Sequence, residues 1–158
     1  MFKIGFGYDA HRLTKGRDLI LGGKKIPYKK GLLGHSDADV LSHAIGEAIL
    51  GALSLGDLGK HFPNTNKKYK DISSLKILSM INDMAEKENA KIINLDSTIV
   101  AEEPKLSGHI PKMRENISGA LNVNINQVSV KATTTEGMGF VGRKEGMAAY
   151  AVVLMEKK

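Results

Sequence analysis

The chain has 158 residues, of which 42% are hydrophobic and 25% charged, so it is long enough for one domain with a buried core. Its net charge of +6 comes from lysines and arginines scattered in pairs, which is more typical of a solvated surface than of a nucleic-acid site. It contains no cysteine, which excludes disulfides and thiolate metal sites.

The chain begins with a stretch of period two, which predicts a strand with two different sides. One side carries glycines and then Asp9 and His11, which share a face because side chains alternate along a strand. We expect the apolar side to pack in the core and the glycine side to stay open. The apolar side is formed by Phe2, Ile4, Phe6, Tyr8 and Ala10.

A helix is predicted from about Asp39 to Ser54, because apolar residues recur there at helical spacing. Asp37 or Asp39 can cap its first turn. Asp39, His43 and Glu47 follow one another at intervals of four, which places them on the face turned away from the apolar stripe. His43 is therefore expected to lie outside the core.

The other predicted elements alternate irregularly between helix and strand. This mixture favours an α+β fold, one domain over residues 1–158 in which helices cover a single mixed sheet. The final strand is apolar on both faces and is expected to be buried on both. The predicted elements besides the first strand and the first helix are a short strand near Lys24–Ile26, helices at 73–89 and 108–121, and strands at 91–103, 127–133 and 147–156.

Asp9, His11 and His43 would form a three-ligand metal site if the first helix packs against the first strand. One carboxylate and two imidazoles leave a fourth position open, as in catalytic zinc sites. The spacing alone is weak evidence, since a polar strand edge and an exposed helical histidine would look the same.

The stretch KATTTEG, residues 131–137, places three hydroxyls and a carboxylate where a strand ends in a glycine-rich turn. Backbone N–H groups and hydroxyls in such a turn can bind phosphate, and Glu136 could help to hold Mg²⁺. An ordinary strand end rich in β-branched residues explains it equally well. Lys105, in the stretch AEEPK, is either an anion contact or one more surface lysine.

Taken together, these segments resemble the 2-C-methyl-D-erythritol 2,4-cyclodiphosphate synthase family. The matching stretches occur in the family's order from end to end of the chain: GFGYDAHRL, LGG, GLLGHSDADVLSHA, LGDLGKHFP, HIPKMRENI and VKATTTEGMGFVGRKEG. The resemblance implies conversion of 4-diphosphocytidyl-2-C-methyl-D-erythritol 2-phosphate to the 2,4-cyclodiphosphate with release of CMP. The reaction belongs to isoprenoid precursor synthesis and needs no protein nucleophile.

The same resemblance implies the site residues. Zinc, or another divalent metal, would lie on Asp9, His11 and His43, and Mg²⁺ or Mn²⁺ beside Glu136. His35 and Thr134 would position the transition state. The substrate-binding positions implied are His35, Ser36, Asp57 and Gly59 for the methylerythritol end, Ala101, Pro104, Lys105, Leu106, Ala132, Thr133 and Thr134 for the cytidine end, and Phe140 and Arg143.

The family resemblance also implies a homotrimer with sheets around the threefold axis, active sites between subunits, and a central channel open to isoprenoid diphosphates. Tyr150 stands where many members have a glutamate near Arg143, so we expect Arg143 to lack its carboxylate partner. Asn64 replaces a common aspartate, and Ser107 a common leucine.

Two other functions fit parts of the sequence. One is a zinc hydrolase that uses metal-bound water, and the other is a basic nucleic-acid-binding domain, against which the aromatic content of 5% weighs. We therefore predict no nucleic-acid partner. We also predict no membrane partner, because no apolar run is long enough to span a bilayer. No signal peptide is recognisable, which predicts a cytoplasmic protein, or a stromal one if a transit segment has been removed.

Overall fold

A computed structural model describes all residues from 1 to 158. It contains a five-stranded sheet of order β4-β1-β7-β5-β6, in which only β5 and β6 pair in parallel, and a separate two-stranded β2-β3 hairpin. This confirms the predicted α+β class with a mixed sheet. The strands are β1 (Phe2–Thr14), β2 (Leu19–Leu21), β3 (Lys24–Ile26), β4 (Gly31–Leu32), β5 (Ala90–Val100), β6 (Val128–Thr133) and β7 (Gly146–Lys157).

Three longer helices, two single-turn α-helices and two 3-10 turns (Lys67–Tyr69 and Ile125–Gln127) complete the domain. The three longer helices lie within the predicted ranges and end one or two residues inside them. The elements that prediction missed (β2, β4, α2 and α5) have two to four residues each, too few to show a period. None of the helices is both long and apolar enough to cross a membrane. The helices are α1 (Val40–Ala52), α2 (Leu58–His61), α3 (Ser74–Lys87), α4 (Ile110–Ala120) and α5 (Gly139–Gly142).

The packed face of β1 is the glycine face, so the predicted orientation of this strand was wrong. A Cβ atom on Gly5 would lie 1.8 Å from the Ala48 carbonyl oxygen, and one on Gly7 would lie 1.9 Å from that of Ala44. The backbone of α1 therefore rests directly on β1, where only glycine leaves room for it. The side expected to pack is exposed, with Ile4 at 73%.

The core lies between the sheet and the helices. Helix α1 contacts β1 and β7 on one side and α3 on the other. Ten of its thirteen residues are buried, and only His43, Glu47 and Gly51 retain exposure. This confirms the prediction that His43 and Glu47 lie off the core.

Strand β7 is buried on both faces only over its first four residues, and from Tyr150 onward one face is exposed, which corrects the expectation that both faces are covered throughout. Tyr150 is 43% exposed, and its ring lies 5.0 Å from that of Tyr8 and 6.2 Å from that of Phe6. Together with the exposed side of β1 it forms an uncovered surface, which we call the apolar sheet face. Its members are Phe2, Ile4, Phe6, Tyr8, Tyr150 and Val152.

Candidate active site

Asp9, His11 and His43 converge where α1 crosses β1. Asp9 Oδ2 lies 2.8 Å from His11 Nε2 and 3.0 Å from His43 Nδ1, and these two nitrogens are 3.2 Å apart. The glycines of β1 make this possible, because they let α1 approach so closely that His43, in the first turn of α1, reaches the strand. The convergence predicted from the resemblance is thus present in the geometry.

The donor set suits a divalent metal such as zinc. All three ligand atoms lie within 4.8 Å of one another. Tetrahedral zinc with ligands at ~2.0–2.2 Å separates them by about 3.4 Å, so only a small expansion is needed. His11 Nδ1 lies 2.8 Å from the Leu33 carbonyl oxygen, to which it can donate, and this leaves Nε2 free as a ligand.

The charge of Asp9 is also suited to a cation. Burial opposes ionisation, but the hydrogen bonds and charges of His11 and His43 outweigh it and lower the pKa of Asp9 to about 2. The pKa of His11 is raised, because its hydrogen bond and charge interaction with Asp9 outweigh burial. The carboxylate is therefore ionised at neutral pH.

A cavity of about 360 Å³ opens beside these three residues. His35, Ser36 and Gly59, all predicted for the methylerythritol end, line it, and so does Asn64. Asp57 does not line it: its carboxylate accepts the Lys60 N–H at 2.9 Å and caps α2. Its predicted polyol contact would require this cap to be shared or to move.

A second cavity of about 270 Å³ lies where β5 and β6 end. Most residues predicted for the cytidine end line this cavity. Pro104 is not among them and follows a cis peptide bond. The lining residues are Ala101, Lys105, Leu106, Ser107, Ile110, Ala132, Thr133 and Thr134.

Both cavities lie toward the carboxyl ends of β1, β5 and β6. Strand β7 runs antiparallel to β1 and to β5, so β1 and β5 point the same way, and β6 is parallel to β5. The register pairs Asp9 with Ala149 and Ala149 with Ile99. Two strand spacings, roughly 10 Å, therefore separate the metal ligands from the end of β5.

Glu102, just after β5, is hydrogen-bonded to the turn after β6. Its Oε1 accepts the Thr135 N–H at 2.8 Å, while the Thr135 hydroxyl donates to the nearer Met138 carbonyl oxygen at 2.6 Å. Glu136 has a positive φ of 54° and lies outside the Asp9 cluster. The sequence contained no signal for the role of Glu102.

Two expectations about charged residues were wrong. Asp39 does not share the face of His43: it is fully buried and accepts the N–H groups of Gly22 at 3.0 Å and Gly23 at 2.7 Å. Burial, with the nearby charge of Asp37, raises its pKa. Asp39 also accepts the Ser42 N–H at 3.0 Å, which confirms it as the cap of α1, one of the two predicted alternatives.

Arg143 does have a carboxylate partner, which corrects the second expectation. Its Nε lies 2.8 Å from Glu145 Oε1. Phe140 lines a recess with His11, Arg12 and Glu145.

Comparison with known proteins agrees with this geometry. The YgbB family matches residues 2–156. The 2-C-methyl-D-erythritol 2,4-cyclodiphosphate synthase of Clostridium perfringens is 57% identical over 155 residues, which are 98% of this chain and 99% of that protein. The synthase of Geotalea uraniireducens is 58% identical over 156 residues, 99% of each chain.

Solved structures show the same fold. The bifunctional IspDF of Campylobacter jejuni superposes with a TM-score of 0.96 at 39% identity over all of this chain, which spans only 43% of that longer protein. The IspF of Plasmodium falciparum, in a CDP complex, gives a TM-score of 0.87 at 35% identity and covers 99% of this chain and 97% of its own. The chain belongs to the YgbB family of 2-C-methyl-D-erythritol 2,4-cyclodiphosphate synthases.

Proposed function

We propose that this chain cyclises 4-diphosphocytidyl-2-C-methyl-D-erythritol 2-phosphate to 2-C-methyl-D-erythritol 2,4-cyclodiphosphate with release of CMP, a step of non-mevalonate isoprenoid synthesis. The observation that carries the proposal is the convergence of Asp9, His11 and His43 beside a polar cavity. Family membership supplies the reaction.

Asp9, His11 and His43 would hold zinc or another divalent metal. When bound, such a metal supplies Lewis-acid stabilisation of phosphate charge, which is worth several kcal/mol. We assign Glu136 to a second ion, Mg²⁺ or Mn²⁺, shared with the substrate phosphates. Its exposed carboxylate is free of ion pairs, which supports this assignment.

The protein's other residues would bind and orient the substrate. His35, Ser36 and Gly59 line the first cavity and would hold the methylerythritol end. Lys105 and Thr134 line the second cavity, where an ammonium and a hydroxyl can meet the phosphates and the cytidine end. His35 and Thr134 would position the reacting groups during ring closure.

The reaction needs no protein nucleophile. An oxygen of the 2-phosphate forms a bond to the β-phosphorus, the bond from that phosphorus to the bridging oxygen breaks, and CMP leaves with the electron pair. No water is consumed. The main contribution of the binding residues is to hold two ends of a flexible molecule together, which lowers the entropic cost of closure.

We further propose that three chains assemble around the apolar sheet face, with the active site between neighbouring subunits. An uncovered patch of six large apolar side chains is unusual on a monomer and supports burial against other copies. The two cavities are separate within one chain, so a neighbour's second cavity could complete the first. A central channel able to hold an isoprenoid diphosphate, and a cytoplasmic or stromal location, stay predictions.

The function is tested by supplying the cytidylylated substrate and following the products by phosphorus NMR, with and without a chelator. We expect the cyclic diphosphate and CMP as the only products, and their loss on chelation. Inorganic phosphate or an opened diphosphate would instead identify the zinc hydrolase considered above. Unchanged turnover in the chelator would contradict the metal-dependent mechanism.

The assembly is tested by Phe6→Glu, which places a charge at the centre of the apolar sheet face. We expect the wild type to have the mass of three 17.1 kDa subunits in light scattering, and the variant to dissociate because burying an unpaired carboxylate is unfavourable. Ile125→Glu changes an exposed apolar residue elsewhere and should leave the trimer intact. A monomeric wild type would disprove this assembly.

A further inference from the structure

The outer nitrogen of His43 contacts a buried serine that has no part in the reaction proposed above. His43 presents Nδ1 to Asp9, and its Nε2 lies 2.8 Å from Ser74 Oγ. Ser74 is the first residue of α3 and is 0% exposed. His43, a proposed metal ligand on α1, is therefore hydrogen-bonded on its other nitrogen by a residue of α3.

Asp37 determines the direction of this hydrogen bond. Its Oδ1 lies 2.5 Å from Ser74 Oγ, and its Oδ2 accepts the Ser74 backbone N–H at 3.0 Å. A carboxylate only accepts, and a hydroxyl has one hydrogen. Ser74 therefore donates to Asp37 and can only accept from His43, which places the imidazole hydrogen on Nε2.

A second serine offers a weaker alternative. Ser36 Oγ lies 3.2 Å from His43 Nε2, and it also accepts the Ala38 N–H at 3.2 Å. Because Nε2 has a single hydrogen and Ser74 is 0.4 Å nearer (3.2 against 2.8 Å), Ser74 is the principal acceptor. Removing its hydroxyl would leave only the longer contact.

We propose that Ser74 and Asp37 are positioning residues that fix the tautomer and ring orientation of His43. A neutral imidazole with hydrogen on Nε2 has its lone pair on Nδ1, the atom that faces Asp9 and His11. The Leu33 carbonyl does the same for His11. The inference rests on the proposed function, in that it assumes a metal on these three residues.

Other contacts hold this assembly in place, so that a change of one hydroxyl should leave the backbone undisturbed. The Asp37 N–H donates to the Ile72 carbonyl at 3.1 Å, and the Asp71 N–H donates to that of His35 at 2.9 Å. Both bonds join the loop before α1 to the start of α3. Ser74→Ala removes neither of them.

The test is zinc affinity of Ser74→Ala, measured by competition with a chromophoric chelator, together with the visible spectrum of the Co²⁺-loaded protein. Outer partners of metal-bound histidines typically change affinity about 10–100-fold, so we expect a loss in that range and an altered Co²⁺ spectrum. Ser73→Ala is the matched control, because the Ser73 side chain is exposed and makes no capping bond. It should match the wild type.

Two further variants separate positioning from folding. Ser74→Thr keeps the hydroxyl and should restore affinity, and Asp37→Asn replaces an obligate acceptor with a group that can donate, so it should weaken zinc binding in the same direction. Thermal unfolding of each metal-free protein reports folding independently. Wild-type affinity and spectrum in Ser74→Ala would overturn this inference alone, whereas a wild type that binds no zinc would overturn the proposed metal site itself.

Discussion

His43→Ala should abolish zinc retention and lower the rate of CMP release by about 10³-fold or more, since a lost ligand removes the stabilisation of several kcal/mol that the metal supplies. The side chain is only 13% exposed, but it lies at the wall of a cavity rather than within the apolar core. We therefore expect the metal-free variant to lose only roughly 1 kcal/mol of stability. Metal content after dialysis and phosphorus NMR measure the two effects.

A matched control separates ligand loss from general damage. His61 lies beyond the cavity lining, with Nε2 2.9 Å from the Leu55 carbonyl oxygen. His61→Ala should therefore keep one zinc ion per chain. Normal zinc content and normal CMP release in His43→Ala would remove His43 from the metal site.

Among glycine-to-alanine changes in this chain, Gly7→Ala and Gly5→Ala are expected to be the most destabilising. The added Cβ would lie 1.9 Å from the Ala44 carbonyl oxygen, and the clashing atom belongs to a helix backbone that cannot rotate away. Overpacking of this kind costs typically 1–3 kcal/mol, and we expect about 3 kcal/mol here. Displacement of α1 would also move His43 from Asp9, so zinc should bind more weakly.

Denaturant unfolding and zinc competition measure these two consequences of Gly7→Ala. Gly119→Ala is the control, because Gly119 lies in α4 with nothing within 4 Å of the added Cβ. It should be neutral or stabilising by up to about 1 kcal/mol, as alanine favours helix. Equal stability of the two variants would show that α1 does not rest on β1 as described.

Secondary structure was predictable where the periodic signal is long. The apolar stripe of α1 spans nearly four turns, and its polar residues His43 and Glu47 do lie off the core. Short elements such as α2 were not predictable, since four residues cannot show a period. Asp57 caps α2 through the Lys60 N–H, a local bond, but a single cap does not by itself predict a four-residue helix.

The orientation of β1 shows where pattern reasoning fails. Alternation reveals that a strand has two different faces, and an apolar face ordinarily packs inward. Here the glycine face packs, because contact with a helix backbone at Gly5 and Gly7 requires the absence of a Cβ atom. The apolar face, including Ile4 and Phe6, is exposed in the single chain.

The amino-acid sequence by itself determined the types of ligand available, the spacing that places Asp9 and His11 on one side of a strand, and membership of the family. Only the tertiary structure decided that His43 reaches them, that Asp39 rather than Asp37 caps α1 and is buried, and that Ser74 contacts His43 Nε2. The physical reason is that these contacts join residues more than thirty positions apart or depend on burial. Both are consequences of how α1 packs between β1 and α3, which local periodicity does not specify.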